Sequence, residues 1–181
     1  MSIFDTVPVL TGDRLVLRTP ESGDADRRLA LGRHDVLLRG YGIRVEDVSS
    51  TTAAAADSRL TEQERSGAWI ITRDGRMIGT IRLHGIDRQD ARAKLAVGLV
   101  DPDALGQGFG SEAVALVVSH AFDTLGLHRL SLRVLASNDR AIRCYARSGF
   151  VEEGREREAA RTWSGREDDV IMGLLAHEVA R

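Results

Sequence analysis

The sequence predicts an α/β (α+β) domain, a mixed and mostly antiparallel twisted sheet flanked by helices. Three observations carry this. Strand-like and helix-like segments alternate in the order strand, two helices, three-strand meander, helix, strand, helix, two strands. Asp74-Gly75 separates two apolar runs rich in β-formers, a strong hairpin signal. Gly106, Gly108 and Gly110 fall just ahead of the apolar run Ala113 to Val118, a pattern suited to an anion at a helix N-terminus.

Each element has a local reason. Arg14-Leu15-Val16-Leu17-Arg18 is a short strand stopped by Pro20. Asp24 to Arg33 is helical, with Ala25, Leu29 and Ala30 near one face. His34 to Asp47 accommodates a second helix and a loop. Ser50 to Arg65 is a helix whose start is capped and alanine-rich, ended by Gly67. Ala68 to Thr72 and Met77 to Leu83 are the hairpin strands, and Lys94 to Val100 is apolar enough to be central. The glycine loop leads into a helix reaching about Thr124. His128 to Leu135 is a strand with Leu130, Leu132 and Val134 on one face, and Asn138 to Ser148 is a helix closed by Gly149. Phe150 to Glu158 and Asp168 to Leu175 form a final hairpin around Trp163-Ser164-Gly165.

The chain has 181 residues, enough for a single domain over 1–181 with a real core. A net charge of −2 gives no bulk electrostatic reason to bind nucleic acid. The one cysteine, Cys144, excludes an intramolecular disulfide framework and suits a reducing compartment. The first residues carry neither a basic patch nor a long apolar stretch, so no membrane partner and a cytoplasmic location are expected. The histidines show no metal-ligand spacing with cysteines or carboxylates, so no metal is expected.

The glycine loop admits several owners. A Walker loop ends in Gly-Lys-Ser/Thr, whereas this one reads Gly108-Phe109-Gly110-Ser111. Gly108 to Ala113 fits the degenerate dinucleotide pattern, but Asp101 to Leu105 separate it from the preceding strand. No acid ends the next strand to hold a ribose. Coenzyme A is the third owner, and a ligand-free turn the fourth.

Four blocks, in order and spacing, resemble the GNAT superfamily of acetyl-CoA-dependent N-acetyltransferases. They are Leu10 to Arg18; Val97-Gly98-Leu99 followed by Gly106 to Ala113; Asn138 to Phe150; and Asp169 to Leu175. The first and last are similar to its ribosomal-protein-alanine N-acetyltransferase branch. The resemblance implies a V-shaped splay between the central strands. Val97 and Leu99 then pair with the pantetheine arm of acetyl-CoA as an added strand would. A bulge at Gly98 would aim a backbone N–H at the thioester carbonyl, as an oxyanion donor. Amides of Gln107, Gly108, Phe109, Gly110 and Ser111 would hold the pyrophosphate. Asn138 is a natural N-cap and by resemblance also contacts pantetheine. Tyr145 is either a buried tyrosine with a satisfied hydroxyl or, by resemblance, the acid that protonates the CoA thiolate.

Two positions depart from the family pattern. Leu105 stands where Arg or Gln is common. Leu95-Ala96-Val97 carries no acid where the family often has a glutamate to receive the amine proton. His84, Asp87 or water relayed to a carboxylate are the alternatives. Cys144 has no visible activating partner and reads as filler. Glu152 to Glu158 reads as a solvated strand, and Trp163 with Asp168 and Asp169 as a hairpin tip or a wall of the acceptor cleft. The expected activity is acetyl transfer from acetyl-CoA to a primary amine, on a protein N-terminus or on a small amine such as a polyamine or aminoglycoside. A non-catalytic acyl-CoA-binding module is the alternative. The resemblance is also compatible with a homodimer.

Overall fold

A computed structural model describes residues 7–32, 34–40 and 67–179. The helix expected over Ser50 to Arg65 and the loop to Asp47 lie outside the described residues. The elements are β1 (Leu10–Thr11), β2 (Val16–Arg18), α1 (Asp24–Ala30), α2 (Asp35–Gly40), β3 (Ala68–Arg73), β4 (Arg76–Asp87), β5 (Arg92–Leu99), α3 (Phe109–Ser119), β6 (Arg129–Leu135), α4 (Asp139–Arg147), β7 (Val151–Thr162) and β8 (Gly165–Leu175). They form one eight-stranded sheet in the order β1-β2-β3-β4-β5-β6-β8-β7. All neighbours pair antiparallel except β5 and β6. Asp74 and Gly75 both take positive φ, as the expected two-residue turn requires.

Two expectations change in extent. The closing hairpin was expected to leave residues 159–167 as loop; instead β7 and β8 run on to Thr162 and Gly165, pairing across residues 160–162 and 165–167. Helix α3 passes into a single π-helical stretch, His120–Thr124, closed by Leu125 N–H donating to the His120 carbonyl at 3.0 Å.

Alternation sorts the sheet into two faces. Ala93, Leu95, Leu130, Leu132, Val134, Val170, Met172 and Leu174 face α3 and α4. Helix α3 meets them with Phe109, Ala113, Val114, Val117 and Val118, all buried at helical spacing. The opposite face receives α1, whose Ala25 packs with Ile70, Met77 and Val100.

A buried charge cluster fixes α1. Asp24 is fully buried and accepts two hydrogen bonds from Arg18, at 2.6 and 2.7 Å. The Glu21 amide and Arg27 add bonds at 2.9 and 2.8 Å. Burial alone would raise the Asp24 carboxyl, but the bonds from Arg18, Glu21 and Arg27 outweigh it and hold it below the ordinary value. A carboxyl lowered in the native state contributes stability above its unfolded value and loses it as the pH falls through the native one. Asp24→Asn is therefore expected to cost about 3 kcal/mol near neutral pH, because it strands Arg18. In urea unfolding the gap to wild type should close as the pH falls below about 4; a gap unchanged in acid would contradict this role.

Candidate acetyl-CoA site

One cavity of about 740 Å³ lies where β5 and β6 separate. The two strands pair in parallel at Arg92–Arg129, Ala93–Leu130 and Lys94–Ser131 and then diverge. Beyond that point β6 keeps its antiparallel ladder to β8, and β5 keeps its ladder to β4. The backbone edge of β5 from Leu95 to Leu99 thus faces the cavity instead of a strand. The expected bulge at Gly98 is absent: the β4–β5 ladder runs in unbroken register from Gly79–Leu99 to His84–Lys94, and its irregularity falls between His84 and Asp87. The strands part by divergence. Gly79 permits a close approach at this point, since a Cβ there would meet the Gly98 carbonyl oxygen at 2.6 Å.

The glycine loop closes the open end. Gly106 and Gly108 take positive φ, 74° and 84°, and Gly108 is the N-cap of α3. Amides of a first helical turn lack intrahelical acceptors, and the dipole adds positive potential there. Gly108, Phe109, Gly110 and Ser111 line the cavity, as do Val97, Gly98, Leu99, Asn138 and Tyr145. Gln107 does not. Its side-chain amide donates back to the Asp103 carbonyl, and its own carbonyl accepts from Arg14 Nη1 at 2.9 Å. The Gln107 side chain braces the loop from behind.

Sequence reasoning missed the group that holds this loop. The Arg14 backbone N–H and Nε donate to the Glu112 carboxylate at 2.8 and 2.9 Å. The guanidinium of Arg14 lies 4.8 Å from the centre of the buried Phe109 ring, and that of Arg73 lies 4.9 Å from it. A ninety-residue separation leaves no local signal for such contacts.

Helix α4 forms the far wall. Asn138 Oδ1 accepts from the Ala141 N–H at 3.2 Å, the expected cap, and its Nδ2 donates to the Gly40 carbonyl at 2.8 Å, tying α4 to α2. Tyr145 is buried, edge-on to Phe150 at 6.1 Å. Cys144 Sγ lies 3.2 Å from Ser111 Oγ, joining α4 to the glycine loop.

Two candidate proton acceptors do not reach the cavity lining. Asp87 is held by Arg92 and by the amides of Gln89 and Asp90. His84 pairs opposite Lys94; burial first, then Arg82 and Lys94, push its imidazole below the ordinary value. Asp169 does line the cavity. It is buried, 3.5 Å from Arg133, and alternation puts it on the same sheet face as Ala96, the position without an acid. Trp163 instead stacks under Arg39 at 4.9 Å. Among the described residues, no group of histidine, cysteine or carboxylate side chains is arranged to hold a metal, and no helix is long and apolar enough to cross a membrane.

The family model for the acetyltransferase (GNAT) domain matches residues 14–151. The chain belongs to the GNAT family. It is 32% identical over 151 residues to the uncharacterized N-acetyltransferase YoaA of Bacillus subtilis, covering 81% of this chain and 85% of that protein. It is 30% identical over 86 residues to the spermidine N(1)-acetyltransferase of Escherichia coli, covering 48% and 46%. The crystal structure of spermidine N-acetyltransferase from Vibrio cholerae in complex with CoA and spermine shares the fold, with TM-score 0.78 at 20% identity over 92% of this chain and 98% of that one. This GNAT protein is thus an acetyl-CoA-dependent N-acetyltransferase.

Gly108→Ala tests the loop geometry. A side chain at positive φ costs about 1 kcal/mol, and its Cβ would sit 3.4 Å from Arg14 Nη2. Calorimetric titration should show CoA bound severalfold more weakly. Gly126→Ala, at positive φ with nothing within 4 Å, should lose similar stability and keep its CoA affinity. Equal affinity in both variants would remove the loop from the site.

Proposed function

We propose that acetyl-CoA lies along the exposed edge of β5 and that its acetyl group passes directly to a primary amine in a ternary complex. The divergence of β5 from β6 beside the glycine loop carries this reading. Val97 and Leu99 offer backbone groups to the pantetheine amides, and Asn138 Oδ1 keeps a second lone pair for the same arm. Amides of Gly108 to Ser111 hold the diphosphate. An amide near Gly98 stabilises the oxyanion of the tetrahedral intermediate.

The acceptor arrives as an ammonium with pKa of about 10 and must shed a proton before attack. Asp169 receives the ammonium, and water carries the proton away. The amine nitrogen bonds to the thioester carbon, the C–S bond breaks as the tetrahedral intermediate collapses, the Tyr145 hydroxyl protonates the departing thiolate, and the second proton shed by the nitrogen returns to the tyrosine through water. Cys144 stands against the diphosphate loop and takes no covalent part. Likeness to the spermidine acetyltransferases favours a small polyamine acceptor; the opening and closing strands favour a peptide N-terminus.

Thiol release from acetyl-CoA against spermidine, a peptide with a free N-terminus and its N-acetylated form separates these acceptors. Tyr145→Phe should lower turnover about hundredfold and leave CoA affinity unchanged. Asp169→Asn should raise the amine KM with little change in kcat. Full turnover in Tyr145→Phe would take the tyrosine out of the mechanism. Release with no amine would leave Asp169 without a substrate to bind.

A further inference from the structure

We propose that the acceptor is an α-amino acid, or another amine with a carboxylate on the adjacent carbon, and that Arg133 of β6 binds that carboxylate. The proposal rests on Asp169 as the partner of the acceptor's ammonium and on the β5 edge as the place of the thioester. Asp169 is buried, its side chain 9% exposed, and it lines the cavity. Among the described residues its carboxylate accepts no hydrogen bond. Arg133 Nε stands 3.5 Å away, beyond a normal bond length. A buried carboxylate held this loosely needs a donor, and an ammonium supplies one. Ile171 pairs opposite Arg133 and Asp169 opposite Leu135, so Arg133 and Asp169 are diagonal neighbours on one face of the sheet. The group next to the amine therefore meets a guanidinium.

The wall across the gap does not offset that charge. Lys94 pairs with Ser131 where β5 and β6 are still joined. Two residues on, Ala96 and Arg133 come level on the same face, and both line the cavity. An acid at position 96 would face Arg133; the alanine leaves that place to the substrate. Glu156 accepts one N–H of Arg133 at 3.3 Å, but it is half-exposed and lies outside the lining. An exposed pair of this kind is weak, and a guanidinium has five N–H groups in a planar fork. A carboxylate fits that fork from the cavity side. In an α-amino acid one carbon separates ammonium from carboxylate, which matches the adjoining Asp169 and Arg133. A polyamine would instead bring a second cation against Arg133. A peptide N-terminus would bring a neutral carbonyl, which takes the weaker bond.

Steady-state thiol release from acetyl-CoA by the full chain, across a panel of α-amino acids, their α-amides and spermidine, tests this. The preferred amino acid should show kcat/KM at least about tenfold above its own amide, since a charge-assisted bond is at stake. Arg133→Gln should raise the amino acid's KM about tenfold, with kcat changing less. It should not raise the amide's KM, and it should lower that of spermidine by removing a like charge beside Asp169. Arg133→Lys should restore part of the preference. A merely structural arginine would raise the KM of acid and amide alike, and that result would overturn the proposal. So would a wild type that uses the amide or spermidine as well as the acid. Turnover of succinyl-CoA with spermidine, lost in Arg133→Gln, would put the carboxylate on the acyl group and overturn the acceptor assignment. In each of these cases acetyl transfer to an amine would stand. No thiol release with any amine would remove the acceptor site, and the part of Arg133 with it.

Discussion

The structure depends on one short parallel pairing. Strands β5 and β6 share three residue pairs and then part, while each keeps its full antiparallel ladder on the other side. A sheet this well paired elsewhere tolerates an unpaired inner edge only where water or a ligand can satisfy it. The gap therefore cannot close by strand sliding without breaking a ladder with β4 or β8. What results is an extended backbone with free donors and acceptors, held rigid from behind by β4. Gly79, which lets the two backbones approach at Gly98, is part of that constraint.

The ends of this gap differ in charge. At the open end, the α3 N-terminus, Arg14, Arg73 and the arginines of α4 gather positive potential around a glycine loop. Arg14 has a double part. It anchors Glu112 and pulls the Gln107 carbonyl to the back of the loop, which keeps a backbone oxygen from facing an anion. On the face of the sheet opposite α3 the lining carries a single acid, Asp169, beside Arg133, among the described residues.

Features with local causes were legible in the sequence. The Asp74-Gly75 turn, the Asn138 cap, a helix following the glycine loop and the alternation of β6 each follow from neighbouring residues. Features made by distant contacts were not. Nothing near Gln107 says that Arg14 will claim its carbonyl. Asp169 reads in sequence either as a hairpin-tip charge or as a wall of the acceptor cleft, and it is the pairing of β6 with β8 that brings it to the cavity. The resemblance supplied a bulge at Gly98 that this chain replaces by divergence, and His84 and Asp87 were one strand away from where a proton acceptor is needed. The ends of β7 and β8 were misjudged because Glu152 to Arg161 carries little apolar alternation; pairing to β8 and ion pairs such as Arg129 with Glu153 hold it instead.

The central claim is that the free edge of β5 is the surface on which the donor lies. Amide hydrogen exchange, resolved by residue with and without acetyl-CoA, reads that edge directly. The amides of Val97 and Leu99 and of Gly108 to Ser111 should gain protection together on binding, while those of Gly98 and β4, already in the ladder, stay as they were. Protection confined to the loop, with exchange at Val97 and Leu99 unchanged, would contradict the account.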